Sequence, residues 1–202
     1  MKNTLPTFVG LGAIALVLAG CAGPDVKHVD SDSSRTVLGV DKINMQDWNI
    51  AADDMIKKLM DEFINADKLQ SADGPGKPSV LAISRIVNST SAQFDNDMLI
   101  KRIRVALLQT GKVVVDITAG LGGAEDPLAE EAKRNNAFTG GKKLRRPDYT
   151  LSGKIIEDRT RAGKIQEANY FFQFSLATSD GLAVWEAEKR ITKQGRRSSV
   201  GF

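Results

Sequence analysis

The fold of this chain is decided by residues 169–191, which read NYFFQFSLAT, SDG, L and AVWEAEKRI in order. The two outer runs are rich in aromatic and apolar residues, and Ser179-Asp180-Gly181 lies between them. That order predicts two antiparallel strands joined by a tight turn. In the second run glutamates alternate with apolar residues, so one face of that strand meets water.

Three more strands are predicted upstream of this hairpin. Residues 149–156 alternate apolar and small polar side chains, and Gly163 marks the turn that leads into the hairpin. Residues 79–88 begin as a nearly continuous apolar run, which indicates a central strand covered on both faces. Residues 113–117 form a short apolar strand.

Helical spacing appears twice between these strands. Apolar residues recur every three or four positions over residues 48–63, and Asp47 is placed to cap that helix. Asn96 or Asp97 is placed to cap a second helix, which Gly111 ends. The residues expected to face inward on the second helix are Met98, Leu99, Ile103, Ala106 and Leu107.

Residues 127–137 predict a shorter third helix, followed by the three-stranded meander. The order of helices and strands predicts an α+β fold, with helices packed on a mixed β-sheet.

The beginning of the chain carries the signals of a bacterial lipoprotein. Lys2 provides a positive start, and an apolar run of 11 residues over positions 8–18 leads into Leu18-Ala19-Gly20-Cys21. The run is shorter than the about 20 residues of a membrane-spanning helix, and it has the length of a signal peptide. The tetrad resembles a lipobox, in which residues 1–20 are removed and Cys21 carries acyl chains such as palmitate. Ala22 replaces the Asp that retains such proteins at the inner membrane, which predicts an outer-membrane anchor facing the periplasm.

Composition limits the chemistry of the chain. Among 202 residues there is one Cys and one His, which excludes an intrachain disulfide, His-rich metal sites and, within one chain, most His-dependent triads. The net charge of +3 is too small to indicate a nucleic-acid partner. No nucleophile lies in a catalytic motif, so we predict a protein that is not an enzyme and uses no cofactor, metal or small-molecule substrate. A two-carboxylate cell-wall hydrolase stays open as an alternative.

Residues 21–40 are polar and rich in Ser and Asp, which predicts a flexible tether with a random-coil reach of roughly 25 Å. Residues 41–202 are predicted to form a single globular domain. The basic residues of that domain are concentrated late, because residues 142–202 hold 13 basic and 7 acidic residues against 14 and 18 in residues 22–141. Two interpretations stay open, a solvated edge or a surface that binds an acidic protein partner. The candidate binding residues are Lys142, Lys143, Arg145, Arg146, Arg159 and Arg161.

Several segments, in their order along the chain, resemble the family of penicillin-binding protein activators called LpoB. They are the lipobox, Asp47-Trp48, Ser79-Val80-Leu81 with the residues up to Asn88, Leu107 to Lys112, Asp148 to Gly153, Asp180-Gly181, Val184-Trp185 and Ile191 to Gln194. The resemblance implies an outer-membrane lipoprotein with a fold similar to the TolB amino-terminal domain. It further implies a non-catalytic role in peptidoglycan synthesis and cell shape, in which the protein stimulates a class A penicillin-binding protein.

The tether departs from the family pattern. The best-known activators have a long proline-rich linker, whereas Pro24 is the sole proline between Cys21 and Asp47. The sequence therefore leaves an alternative open, a non-catalytic adaptor or structural lipoprotein of another envelope assembly.

Overall fold

The computed structural model describes residues 42–93, 95–118, 130–131, 134–135 and 146–196. Its helices are α1 (Met45–Leu59), which continues into a π-helical turn (Met60–Ile64), and α2 (Asn96–Gln109). Its strands are β1 (Ser79–Ser89), β2 (Val113–Asp116), β3 (Tyr149–Ala162), β4 (Ile165–Thr178) and β5 (Ala183–Arg196). Of the predicted third helix, residues 130–131 and 134–135 are helical, and the rest lies outside the described residues.

The strands form one mixed sheet in the order β2-β1-β3-β4-β5. β1 is parallel to both β2 and β3, whereas β3, β4 and β5 are antiparallel neighbours. The α+β class, the interior position of β1 and the three-stranded meander are therefore confirmed. The meander strands are longer than predicted, because β3 and β4 remain paired up to Ala162 and Ile165 on either side of the Gly163 turn.

One face of the sheet forms the core with both helices. Alternate residues of β4 from Ala168 to Leu176 are buried, as a strand with one covered face requires. The ring of Trp48 on α1 meets Phe172 edge to face at 4.9 Å, and Phe63 meets Tyr149 in the same way at 5.6 Å. These contacts fix α1 and the turn after it on the sheet.

The helices begin earlier than predicted. Asn44 caps α1: its side chain accepts from the Asp47 backbone N–H, and the Asp47 carboxylate accepts from the Asn44 backbone N–H, both at 2.9 Å. Asp47 is therefore the third residue of a capping box, and its prediction as the cap was wrong. Asp95 caps α2, so the prediction of Asn96 or Asp97 was wrong as well.

The inward face of α2 was predicted correctly in part. Leu99, Ile103 and Leu107 are buried, but Met98 is 56% exposed. Met98 lies one residue before the buried stripe that α2 presents to the sheet, which runs through Leu99, Ile100, Ile103 and Leu107. Its apolar side chain fits the helical spacing without reaching the core.

Gly153 in the middle of β3 is required by a close approach of two strands. A Cβ atom at this position would lie 2.5 Å from Cδ1 of the Phe174 ring on β4. The glycine therefore lets the aromatic ring of the neighbouring strand approach the β3 backbone closely.

Candidate partner-binding surface

Half of the predicted basic surface can be located in the structure. Lys142, Lys143 and Arg145 lie outside the described residues, as does the predicted acylation site Cys21. Arg146 is exposed and precedes β3.

Arg159 and Arg161 lie near the opposite end of β3. Tyr149 and Arg159 are ten residues apart on this continuous strand, which corresponds to about 33 Å. Arg146 therefore lies far from Arg159 and Arg161, while the grouping of all six residues stays a prediction because Lys142, Lys143 and Arg145 lie outside the described residues. The continuous strand β3 lies between Arg146 and the two later arginines. Whether either group binds a partner stays a prediction.

The sheet ends in a surface that we call the ribbon end, formed by Arg159, Arg161, Lys164 and Arg196. All four side chains are exposed. The strand register places Arg161 opposite Gln166, and Arg196 opposite Ile165. Adjacent strands lie about 4.8 Å apart, so the four residues lie within a few strand widths of one another, but Arg196, opposite Ile165, points to the other sheet face from Arg159 and Arg161. Arg196 was missed from the sequence because only the pairing of β4 with β5 brings it to this end.

The ribbon end lies beyond the part of the sheet that α1 covers. Three lysine contacts tie α1 to β5: Lys58 Nζ donates to the Glu188 carbonyl at 3.1 Å, Lys189 Nζ to Asp54 at 3.2 Å, and Lys193 Nζ to Asp47 at 2.6 Å. The last of these is at the start of the helix. From there β5 continues for three residues to Arg196, beside the β3–β4 turn.

Arg159 is fixed at the base of the ribbon end by a polar cluster. Its guanidinium forms an ion pair with Glu157 and donates to the Ser91 hydroxyl at 2.8 Å. The second Glu157 oxygen accepts from the Ser91 backbone N–H at 2.6 Å. The cluster joins the loop after β1 to β3, so Arg159 presents its charge in one defined orientation.

Burial and charge both act on the titration of this cluster. Burial alone would raise the pKa of Glu157, but hydrogen bonds from Ser91 and Arg159 outweigh it and hold the pKa below its usual value. Burial, followed by the negative charge of Glu157, raises the pKa of Tyr170 to about 12. Glu157 and Arg159 therefore stay ionised and Tyr170 stays neutral near pH 7, which keeps the cluster's charges constant.

The sheet face opposite the helices is polar and internally bonded. Gln173 donates to Glu188 at 2.8 Å, Ser175 donates to Glu186 at 3.0 Å, and Thr192 donates to Asn169 at 2.6 Å. This confirms that one face of the returning strand meets water.

The described residues hold no group of three or more His, Cys, Asp or Glu side chains that could bind a metal ion. In the same part of the chain, no helix has the length and hydropathy needed to cross a membrane.

Comparison with known proteins places this architecture in a family. The model of the family described as peptidoglycan-synthase activator LpoB matches residues 47–191. The chain belongs to the LpoB family, which confirms the resemblance seen in the sequence. The family description names activation of a peptidoglycan synthase, which agrees with the general activator role predicted from the sequence. No curated protein matches the chain significantly.

Solved structures of LpoB domains are among those similar to this chain. The LpoB C-terminal domain from Escherichia coli has 18% identity and a TM-score of 0.44, and the match covers 73% of this chain and 99% of that one. The corresponding domain from Salmonella enterica has 16% identity and a TM-score of 0.42, with 72% and 98% covered. A PelC dodecamer from Paraburkholderia phytofirmans has 22% identity and a TM-score of 0.35, with 61% and 79% covered.

Proposed function

We propose that this protein is an outer-membrane lipoprotein, acylated at Cys21, that binds and allosterically stimulates a class A penicillin-binding protein. The observation that carries the proposal is the family match, which spans residues 47–191 and so includes nearly every described helix and strand. Docking would favour the active conformation of the synthase. Binding and activation are then thermodynamically linked, because the activator must bind the active conformation more tightly.

The ribbon end is our candidate for the docking surface. Its four exposed cations lie beyond the helix-covered part of the sheet, and Arg159 is held in place by Glu157. Such a surface favours an acidic patch on the synthase and accelerates encounter at low salt. The group formed by Lys142, Lys143, Arg145 and Arg146 is a second candidate.

A glycan-polymerisation assay with the purified synthase tests this proposal. We expect the full lipoprotein to raise the rate, and Arg161→Glu with Arg196→Glu to weaken activation and its salt dependence. Reversal of Lys142, Lys143, Arg145 and Arg146 tests the second surface in the same assay. Lys57→Glu on the exposed side of α1 is the control. No binding and no rate change with the cognate class A synthases would contradict the proposed function.

Acylation has its own test. Metabolic labelling with radioactive palmitate should label the wild-type protein and leave the Cys21→Ser variant unlabelled. The labelled protein should fractionate with the outer membrane, and recovery with the inner membrane would contradict the predicted localisation.

The short tether favours a second candidate function, a non-catalytic adaptor in another envelope assembly. A reach of roughly 25 Å places the domain close to its anchor. Crosslinking in intact cells separates the two functions, because the activator should crosslink to a class A synthase and the adaptor to a different envelope protein.

A further inference from the structure

The outer edge of β1 is only partly covered. β2 pairs with Ser79–Ala82 alone, so within the described part of the chain the remaining seven residues of β1 have no partner strand besides β3, and Ser84 and Arg85 lie at an irregularity in that pairing. The Asp116 carboxylate accepts from the Thr118 backbone N–H at 2.8 Å and from its hydroxyl at 2.7 Å. This Asx turn begins at Asp116, the last paired residue of β2, and bends the chain, which ends the pairing.

Helix α2 forms the second wall of a groove along this uncovered edge. The groove has a volume of about 370 Å³. Ser84, Arg85 and Asn88 line it on the strand side, and Asn96, Asp97 and Ile100 line it on the helix side. An uncovered strand edge facing a helix is the arrangement into which extended peptides add as a further strand.

The Asn96 side chain has an unused acceptor at this groove. Its Nδ2 donates to the Ile86 carbonyl at 3.1 Å. A carbonyl can only accept, so this contact fixes which end of the amide faces the strand. The Oδ1 atom is buried and has no hydrogen-bond partner in the described structure. A buried acceptor without a donor destabilises the structure, and an N–H donor entering the groove would remove that cost.

We infer that this groove binds an extended segment of a partner protein, which adds beside β1 and places a Lys or Arg next to Asp97. The backbone of such a segment supplies the N–H that Asn96 Oδ1 lacks. Asp97 is exposed on the helix side of the groove and favours a basic side chain beside it, whereas Arg85 is exposed on the strand side. The chain's own residues 119–129 follow β2 but contain Glu125 and Asp126 and no basic residue, so their charge does not complement Asp97.

A random heptapeptide library displayed on phage tests this inference against the full chain carrying Cys21→Ser, which stays unlipidated. We expect enrichment of β-branched peptides with one Lys or Arg. Their synthetic versions should bind at least tenfold more weakly to Asn96→Leu and several-fold more weakly to Asp97→Asn. Asn49→Leu, on α1 and outside this groove, is the matched control and should bind as the wild type does.

Three outcomes would overturn the inference. They are a library without enriched peptides, peptides whose affinity is unchanged in both groove variants, and nuclear Overhauser contacts that place residues 119–129 of the same chain against β1. If Asn96→Leu fails to fold, Asp97→Asn and peptides N-methylated on the backbone keep the test decisive. N-methylation removes the strand hydrogen bonds, so methylated peptides that bind as well as the parent also contradict strand addition.

Discussion

The helix-covered half of the sheet and the ribbon end belong to the same three strands but follow different physical rules. Under α1, alternate β4 residues are buried against Trp48 and its neighbours. At the ribbon end, the same strands carry exposed Arg161, Lys164 and Arg196. The comparison teaches that strand pairing extends beyond the apolar core. The extended part of the strands carries exposed charged side chains instead of buried apolar ones. Substitutions should therefore change stability in the first region and binding in the second.

The largest effect is expected for Phe172→Ala in the covered half. Phe172 is 1% exposed and contacts Trp48, so removing its ring leaves a cavity and should cost about 3–5 kcal/mol of unfolding free energy. Phe171→Ala is the control, because Phe171 lies on the opposite face and should cost about 1 kcal/mol or less. Urea denaturation measures both, and equal losses would contradict the one-sided core.

The next effect concerns the ion pair at the boundary of the two regions. Lys193 and Asp47 are 10% and 9% exposed, so Lys193→Met leaves a nearly buried carboxylate without its cation. We expect a loss of about 3 kcal/mol in urea denaturation. Lys57→Met removes the Lys57–Asp61 pair on the exposed side of α1 and should leave the urea midpoint unchanged. A midpoint shift as large as that of Lys193→Met would contradict the role of burial.

The titration of Tyr170, at the boundary of the two regions, makes the unfolding free energy depend on pH. Its folded-state pKa of about 12 lies above the ordinary value of 10, so the unfolded chain loses this proton first as the pH rises. The contribution of the neutral Tyr170 hydroxyl to the unfolding free energy is complete below pH 10. It is lost as the pH rises through 12, and the unfolding free energy falls by about 2–3 kcal/mol. Tyr170→Phe should lack this part of the fall, measured by urea denaturation from pH 9 to 12. Parallel curves for both proteins would show that the hydroxyl stays accessible.

The smallest stability effect is expected at the ribbon end. Arg161→Glu with Arg196→Glu changes two exposed side chains, and the unfolding free energy should change by less than about 0.5 kcal/mol. Circular dichroism during thermal unfolding measures it. A lowered melting temperature would mean that these arginines support the fold, and the comparison of the two regions would then lose its basis.

Local patterns predicted the elements of this fold well. Alternation in residues 169–178 and the turn at Ser179-Asp180-Gly181 are properties of neighbouring residues, and both are present in the structure. Helical spacing likewise located α1 and α2. Their first residues were missed because several residues near each start can accept a backbone N–H, and the choice of Asn44 and Asp95 depends on where the packed helix begins.

The candidate surfaces depended on distances that sequence does not contain. Arg146 and Arg159 are close in sequence but belong to opposite ends of a long strand, whereas Arg196 is distant in sequence and comes next to the β3–β4 turn through strand register. The orphan acceptor of Asn96 and the uncovered edge of β1 likewise arise from the packing of α2 and the early end of β2.

By itself the sequence determined the class of fold and the family resemblance, and it predicted acylation at Cys21. Periodicity, turn residues and the lipobox are local patterns, so each can be recognised within a short segment of the chain. Tertiary structure alone decided which charges share a surface and which edge stays uncovered. Those properties follow from strand length, register and helix packing, which join residues far apart along the chain.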